Sequence, residues 1–566
     1  MKTTDQKKNR LFERVKAHKW VWILLLAIIL LTITLRIGLL NMPLDRDEGE
    51  YAYGGQLILQ HLPIYQHLYS MKLPGIYLAY AGILIILGQT HTAIHLGLLL
   101  INIATIVAIF FLTKRLINFR SAAVAAASFA VLSANKSLLG LSANSEQFVI
   151  LPAVVGVLLL LKALDEEIPQ MMFCSGLLFG IAFLIKQHGI LFAVFGAVYL
   201  LVEFLYFRKR ENIRLSGKSI LLFSLGVIAP YGLTCVFFSF SGEFKKFWFL
   251  TFEYAKAYAT ILPLKMGWTK FKTSALPILR SAFSIWLIAG FGLAALFFDK
   301  QIRKRSLFIA MFVLFSFFSI CPGFYFRPHY FILFLPATAL LSGIGVNAMA
   351  NTLSLTGLRR VKNSLPILIV VVCLVISVYQ QRKFLFEMTP VQASRSTYGL
   401  NPFPEALEVS KFIQLHSTKD DKIAVFGSEP EIYFYTKRIS ASAYIYMYPL
   451  METHPFALQM QKEMILQIES TKPKHLILTN IPTSWMVQSG SHQLLLKWLV
   501  SYLKRYYTLS GYVTLFNKKT IYHLEPKIKD MPKSPLWIKI FDRKKDNHIK
   551  WQKSHQKPKK DWSSEG

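Results

Sequence analysis

The sequence predicts a polytopic α-helical membrane protein that carries a small α/β domain near its C-terminal end. Three observations carry that prediction. Apolar residues gather into blocks of about 17–22, the length that crosses ~30 Å of hydrocarbon. Lys and Arg collect in alternate loops between those blocks, as the positive-inside rule requires. Beyond residue 380 the blocks give way to short segments with strand-like and helix-like periods. Composition agrees: 53% of the 566 residues are hydrophobic and only 17% charged, against about 25% charged in soluble proteins.

Taken in order, residues 1–19 form a basic, cytoplasmic N-terminus. The apolar run 20–40 follows, and Asn41-Met-Pro-Leu offers no small-residue cleavage site, so the run reads as an uncleaved anchor. Residues 41–91 make a first external loop. Its apolar stretch 76–87 is only about 12 residues long, too short to span, and is assigned to the interface. If it crossed, Lys114, Arg115 and Arg120 would fall outside. The remaining spans are 92–112, 122–139, 146–161, 171–185, 189–207, 219–240, 281–298, 307–320, 330–348 and 365–379, for about eleven crossings in all. The inside loops then hold Lys114/Arg115/Arg120, Lys162, the Arg208–Lys218 cluster, Lys300–Arg305 and Arg359–Lys362. The membrane domain is 20–380, and all that follows lies outside.

Residues 381–526 read as an extracytoplasmic α/β domain. Helices are expected over 405–416, 429–436 and 492–504, with strands over 422–426 and 474–479. Runs 512–516 and 520–524 flank Asn517-Lys-Lys519 as a hairpin. The tail 527–566 is basic and polar and is expected to be disordered or bound to a surface.

A net charge of +33 could signal nucleic-acid binding. Here the cations lie in topogenic loops and in the polar domain, where anionic headgroups are the natural partner, so nucleic acid is set aside. Cys174, Cys235, Cys321 and Cys373 all fall in or beside apolar blocks. They make neither a disulfide framework nor a CxxC metal signature.

The chemistry concentrates just past the first span. Asp45, Asp47, Glu48 and Glu50 sit within six residues, and Lys72-Leu73-Pro74 follows about twenty residues later. Acidic runs at helix ends often serve only the helix dipole. At a membrane surface, however, this pairing suggests a site acting on something held in the lipid. His91 and His95 have metal-ligand spacing but no evident third ligand, and read as interfacial. Trp248, Tyr254, Tyr258 and Trp268, in an expected external loop over 241–279, read as a membrane-interface belt.

The order Asp47-Glu48-x-x-Tyr51-Ala52, then Lys72-x-Pro74, resembles the GT-C fold glycosyltransferases that use polyprenyl-phosphate sugars. Nearest are the protein O-mannosyltransferases and the bacterial transferases that put aminoarabinose on lipid A. The resemblance runs over most of 44–348. It takes in Ser142-Ala-Asn-Ser-Glu-Gln-Phe148, Gly180-Ile-Ala-Phe-Leu-Ile-Lys-Gln187 and Arg327-Pro-His-Tyr-Phe-Ile-Leu-Phe-Leu-Pro336, and is closer to bacterial members.

The resemblance implies an inverting transferase of the plasma membrane that moves a sugar to an envelope glycolipid, glycan or protein hydroxyl. It implies Asp47 as catalytic base and Lys72, Arg327 and Lys186 as partners of the donor phosphate. Glu48, Tyr51, Glu146, His329 and Tyr330 would support the acceptor. The bland counterparts are an interfacial lysine at 72, a boundary arginine at 327, and a helix start at which Asn144 or Ser145 caps while Glu146 favours the dipole. The family often has Glu where Met71 stands, which leaves a divalent metal ion an open question. The alternative class is a lipid or glycolipid transporter. Such proteins show inverted repeats and broken helices at mid-membrane; no repeat is evident here.

Overall fold

In the computed structural model, residues 21–207, 216–300, 302–355, 358–517, 519–524 and 534–545 are described. The basic N-terminus, most of the 208–218 loop, residue 518 of the hairpin and the ends of the 527–566 tail lie outside them. The chain divides into two compact units. One comprises Met1–Leu44, Gly54–His61 and Ser70–Thr397; the other comprises Asp45–Tyr53, Leu62–Tyr69 and Tyr398–Gly566. The acidic segment and residues 62–69 therefore belong with the C-terminal residues, although they precede most of the spans in sequence.

The first unit is helical. Each expected span coincides with an apolar helix: Val21–Ile37, His91–Leu116, Phe119–Ser133, Ser145–Glu166, Pro169–Ile185, Ile190–Val202, Gly217–Phe240, Phe283–Phe298, Ser306–Phe318, Leu335–Leu355 and Ser364–Gln380. By length and composition, five helices of the described residues can cross a membrane, or six if the pair Leu264–Ser281 and Phe283–Phe298, bent by 102°, is one span. Pro74–Leu87 is a helix of 14 residues, short as expected. Helices suit this environment because every backbone polar group must find its partner within the segment. Some N-terminal ends are capped by side chains. Thr90 accepts from the Ala93 amide at 3.1 Å and Asn118 from the Ser121 amide at 3.0 Å.

Loops expected on one face of the membrane meet one another. Asp165 accepts from Arg115 at 3.0 Å and from Arg305 at 2.9 Å, and Arg120 donates to Asn363. Loops expected on the opposite face also join: Gln187 donates to the Met71 carbonyl at 2.7 Å and Asn135 to Ser281 at 2.8 Å. Between these ends, helices Pro169–Ile185 and Gly217–Phe240 touch backbone to backbone. A Cβ at Gly226 would lie 2.8 Å from the Leu177 nitrogen, and one at Gly180 2.5 Å from the Val227 carbonyl oxygen. Small residues permit such approaches where dispersion drives helix association.

The segment 241–279 is not an open loop. It forms helices Phe244–Trp248, Phe249–Tyr254, Ala255–Ala259 and Leu264–Ser281. Phe247, Leu250 and Tyr254 recur at helical spacing and are all buried, so an amphipathic period underlies what reads as an aromatic belt. Trp248 and Trp268 remain exposed.

The second unit holds a five-stranded sheet of order β1-β2-β5-β3-β4. The strands are β1 Ile423–Phe426, β2 His475–Asn480, β3 Tyr507–Leu515, β4 Thr520–His523 and β5 Trp537–Arg543. β1 and β2 are parallel and the other pairings antiparallel. The expected hairpin is β3–β4, with Leu515 facing Thr520. Helix Ala457–Thr471 was not foreseen. The tail reading fails at 537–543: β5 lies at the centre of the sheet. Ile538 and Ile540 are fully buried, and Asp542 meets buried His475 at 2.7 Å. The period-2 pattern Trp-Ile-Lys-Ile-Phe is a strand signal that the surrounding lysines obscured.

A cation that the sequence reading passed over ties the first helix into its unit. Arg36, buried, donates to the Gly140 carbonyl at 3.0 Å and the Ser133 carbonyl at 2.7 Å, and approaches Asn102 at 3.3 Å. Arg36→Met strands two buried carbonyls and is expected to cost about 2–4 kcal/mol, seen as a lower melting temperature of the detergent-purified protein. An unchanged melting curve would show that these carbonyls find other partners.

Candidate active-site residues

In the second unit the acidic segment opens helix Arg46–Leu59. Asp45 accepts from the Glu48 amide at 3.0 Å, and Glu48 accepts from the Asp45 amide at 2.9 Å. This is a reciprocal capping box, so Glu48, fully buried, has a structural task at the helix start. The Asp-x-x-Glu spacing of the sequence thus serves helix capping as well as supplying acids to the segment. Tyr51 is buried as well.

Arg46, between the acids, is the anchor that sequence reasoning missed. It donates to the Ser428 carbonyl and reaches Asn401 and Glu429, each at 3.1 Å. Its guanidinium lies 5.4 Å from the Phe403 ring centre and 5.7 Å from that of Tyr448. Burial works against its charge, but Tyr448, Glu429 and Glu431 more than offset it and hold its pKa above the ordinary value. Gly49 allows the helix to lie against Glu431, since a Cβ there would stand 2.5 Å from the Glu431 nitrogen. Burial, then the charge of Glu429, push the Glu431 carboxyl well above its usual range. Tyr446 brings its hydroxyl within 2.8 Å of the Arg46 carbonyl and 3.3 Å of Asp47 Oδ1. Tyr398 donates to Asp45 Oδ2 at 2.6 Å.

In the first unit the structure gathers residues far apart in sequence. Helix Pro169–Ile185 ends at Lys186, which turns extended and pairs with Glu146 at the start of helix Ser145–Glu166. His329 Nε2 is 3.8 Å from the same carboxylate, and Lys186 Nζ stands 4.5 Å from the Tyr330 ring centre. His188 packs edge-on against Tyr330 at 4.8 Å. Glu146, Lys186, His329 and Tyr330 thus form one cluster, and Glu146 does more there than favour a helix dipole; Asn144, at the N-cap, makes no side-chain capping bond.

Arg327 stands with other partners. It donates to the Tyr258 hydroxyl at 3.0 Å, and Tyr258 stacks on Tyr325 at 4.5 Å. Tyr258 thereby leaves the aromatic belt. Lys72 lies on a loop fixed to the Lys186 turn. Besides the Gln187 bond to Met71, a Cβ at Gly75 would stand 2.5 Å from the Leu184 carbonyl oxygen, so only glycine lets these backbones meet. His95 Nδ1 bonds the Leu40 carbonyl at 2.9 Å. Among the described residues, no three His, Cys, Asp or Glu side chains gather as a metal-holding group.

Known proteins share this architecture. Residues 72–231 match the dolichyl-phosphate-mannose-protein mannosyltransferase family, a segment that includes Lys72, Glu146 and Lys186. Among solved structures, ArnT from Cupriavidus metallidurans bound to undecaprenyl phosphate is 14% identical, with 92% of this chain and 98% of that chain covered and a TM-score of 0.56. The archaeal oligosaccharyltransferase AglB from Archaeoglobus fulgidus, in complex with an inhibitory peptide and a dolichol-phosphate, is 12% identical, with 89% and 74% covered and a TM-score of 0.51. No curated protein matches in sequence. The fold is GT-C, in a multi-pass helical membrane protein. Within that class, the matched segment bears out the resemblance to glycosyltransferases that use polyprenyl-phosphate sugars, and indicates glycosyltransferase-type activity.

Burial, followed by the charges of Glu48 and Asp47, raises the Asp45 carboxyl to about 7. An unfolded aspartate releases its proton near pH ~4. The stability tied to Asp45 is thus complete below about pH 4 and is lost as pH rises through the folded value. Asp45→Asn, which stays neutral, is expected to flatten the decline in melting temperature between about pH 4 and 7. A decline as steep as in the wild type would place the titration elsewhere.

Proposed function

We propose that the protein is an inverting glycosyltransferase that moves a sugar from a polyprenyl-phosphate carrier to an acceptor hydroxyl on the extracytoplasmic face of the plasma membrane. The observation that carries this reading is the convergence of the Lys72 loop, Lys186, Glu146, His329 and Tyr330, from four separate stretches of chain, within the unit that contains the family match. A lipid-linked phosphate needs such cations, and ArnT and AglB are described with lipid phosphates bound. The basic loops held together by Asp165 and Asn363 support the assignment of the opposite face to the reaction.

The chemistry divides the roles. The acceptor oxygen attacks the anomeric carbon while Asp47 takes its proton, a contribution typically worth ~10²–10⁴-fold. The bond from that carbon to the phosphate oxygen breaks, and its electron pair leaves with the phosphate. Because phosphate departs without protonation, one carboxylate suffices where a glycosidase needs two. Lys72, Lys186 and Arg327 meet the departing charge. Single displacement inverts the sugar carbon. Glu146 orients Lys186, and Tyr330 offers the sugar or acceptor an aromatic face. The acceptor belongs to the cell envelope: a glycolipid, a glycan or a protein hydroxyl. Among the described residues no three His, Cys, Asp or Glu side chains gather to hold a metal ion; the steps above are those of the chain's own side chains, and a divalent ion remains an open part of this reading.

The test is consumption of a radiolabelled pool of undecaprenyl-phosphate sugars by the purified protein. Asp47→Asn is expected to lower turnover by at least ~10²-fold while the lipid still binds. Lys186→Met is expected to weaken donor binding about 10-fold. Lipid movement between leaflets with no donor consumed would favour the transporter instead.

A further inference from the structure

The carboxylate taken above as the base does not stand alone in its unit. We propose that Tyr446 is a positioning residue for Asp47, so that the unit built on the C-terminal sheet takes part in the transfer step as well as any acceptor binding. This inference rests on the reading of Asp47 as the base.

Three observations support it. The Tyr446 hydroxyl lies 3.3 Å from Asp47 Oδ1 and 2.8 Å from the Arg46 carbonyl, so it touches the carboxylate and the backbone just before it. Tyr446 is itself fixed in place: the next residue, Met447, donates its amide to the Ser428 hydroxyl at 3.0 Å, and the Tyr446 ring packs 5.6 Å from Tyr448. The surrounding segment is held to the same unit on every side. Arg46 reaches Ser428, Asn401 and Glu429, Tyr398 reaches Asp45, and Tyr53 accepts from the Ser440 amide at 2.9 Å.

The hydroxyl has one proton and two acceptors within reach. Burial, with the charges of Asp47 and Glu50, keeps its phenol protonated well beyond the ordinary range. A tyrosine that donates toward Oδ1 fixes the carboxylate rotamer and directs Oδ2 to the acceptor proton. Without it Asp47 can still accept a proton, but from a wider range of orientations. The chemical step should therefore suffer while donor binding does not.

The experiment uses the full-length protein with the radiolabelled undecaprenyl-phosphate sugar pool, comparing Tyr446→Phe, Asp47→Asn and Tyr444→Phe. Tyr444 is a control in the same unit whose hydroxyl donates to Glu463 at 2.7 Å. Tyr446→Phe is expected to lower kcat about 10-fold, with KM for the donor within about twofold, while Tyr444→Phe stays within about twofold in both. Wild-type kcat in a folded Tyr446→Phe protein, or a loss confined to KM, overturns the inference and leaves the function standing. Turnover retained by Asp47→Asn removes the base itself, and the inference with it. Should Tyr446→Phe not fold, fluorotyrosines incorporated at 446 keep the shape and change the phenol acidity. A kcat that changes by about threefold or more across that series supports hydrogen bonding to the base, and a flat response overturns it.

Discussion

The buried pair of Arg46 and Glu429 is the interaction on which the acidic segment depends. Taking two charges out of water is expensive, and such a pair is tolerated only when its remaining donors and acceptors are also satisfied. Here they are. The guanidinium spreads its bonds over a carbonyl, an amide and a carboxylate, and Glu429 accepts further from Thr479 and Ser484. With the arginine anchored, the neighbouring helix turn has little freedom left, and the carboxylate next in sequence inherits that rigidity. Burial and then the like charges around it add a cost, visible in the raised Asp45 and Glu431 carboxyls. Local strain of this electrostatic kind is common where a fold reserves charge for chemistry.

The membrane-spanning unit solves a related problem with the signs reversed. Lys186, proposed above as a partner of the donor phosphate, pairs with the buried carboxylate of Glu146. The Tyr330 ring and His329 stand beside the same ion pair, so the ammonium group sits among an aromatic face and polar atoms. The fold builds this cluster by bringing the starts and ends of separate helices together, and Gly75 lets the Lys72 loop lie against the Leu184 backbone, where a side chain would collide.

How much of this could be read from the sequence depends on the range of the signal. Apolar blocks are local and dense, so each expected span meets a helix, and the strand runs of the C-terminal residues were placed within a few positions. The GT-C resemblance rested on Asp47, Lys72, Glu146, Lys186 and Arg327 in their order, and the fold agrees with it. Arg36, Arg46 and Tyr446 were passed over because their partners lie roughly 100 to 400 residues away along the chain, and no period or spacing marks them. The segment 241–279 and strand β5 were misread for another reason: aromatic and basic residues masked amphipathic periods that burial makes plain.

The place of β5 in the sheet also has a consequence in time. The strand that separates β2 from β3 is the last among the described residues, so a growing polypeptide carries two unfinished half-sheets until residues 537–543 have been made. Until then β2 and β3 each expose a row of unpaired amides and carbonyls, the kind of edge that invites pairing with other chains. Completion of the sheet therefore waits on the synthesis of residues 537–543, and a chain that stops before them exposes a sticky edge instead of forming a shorter domain.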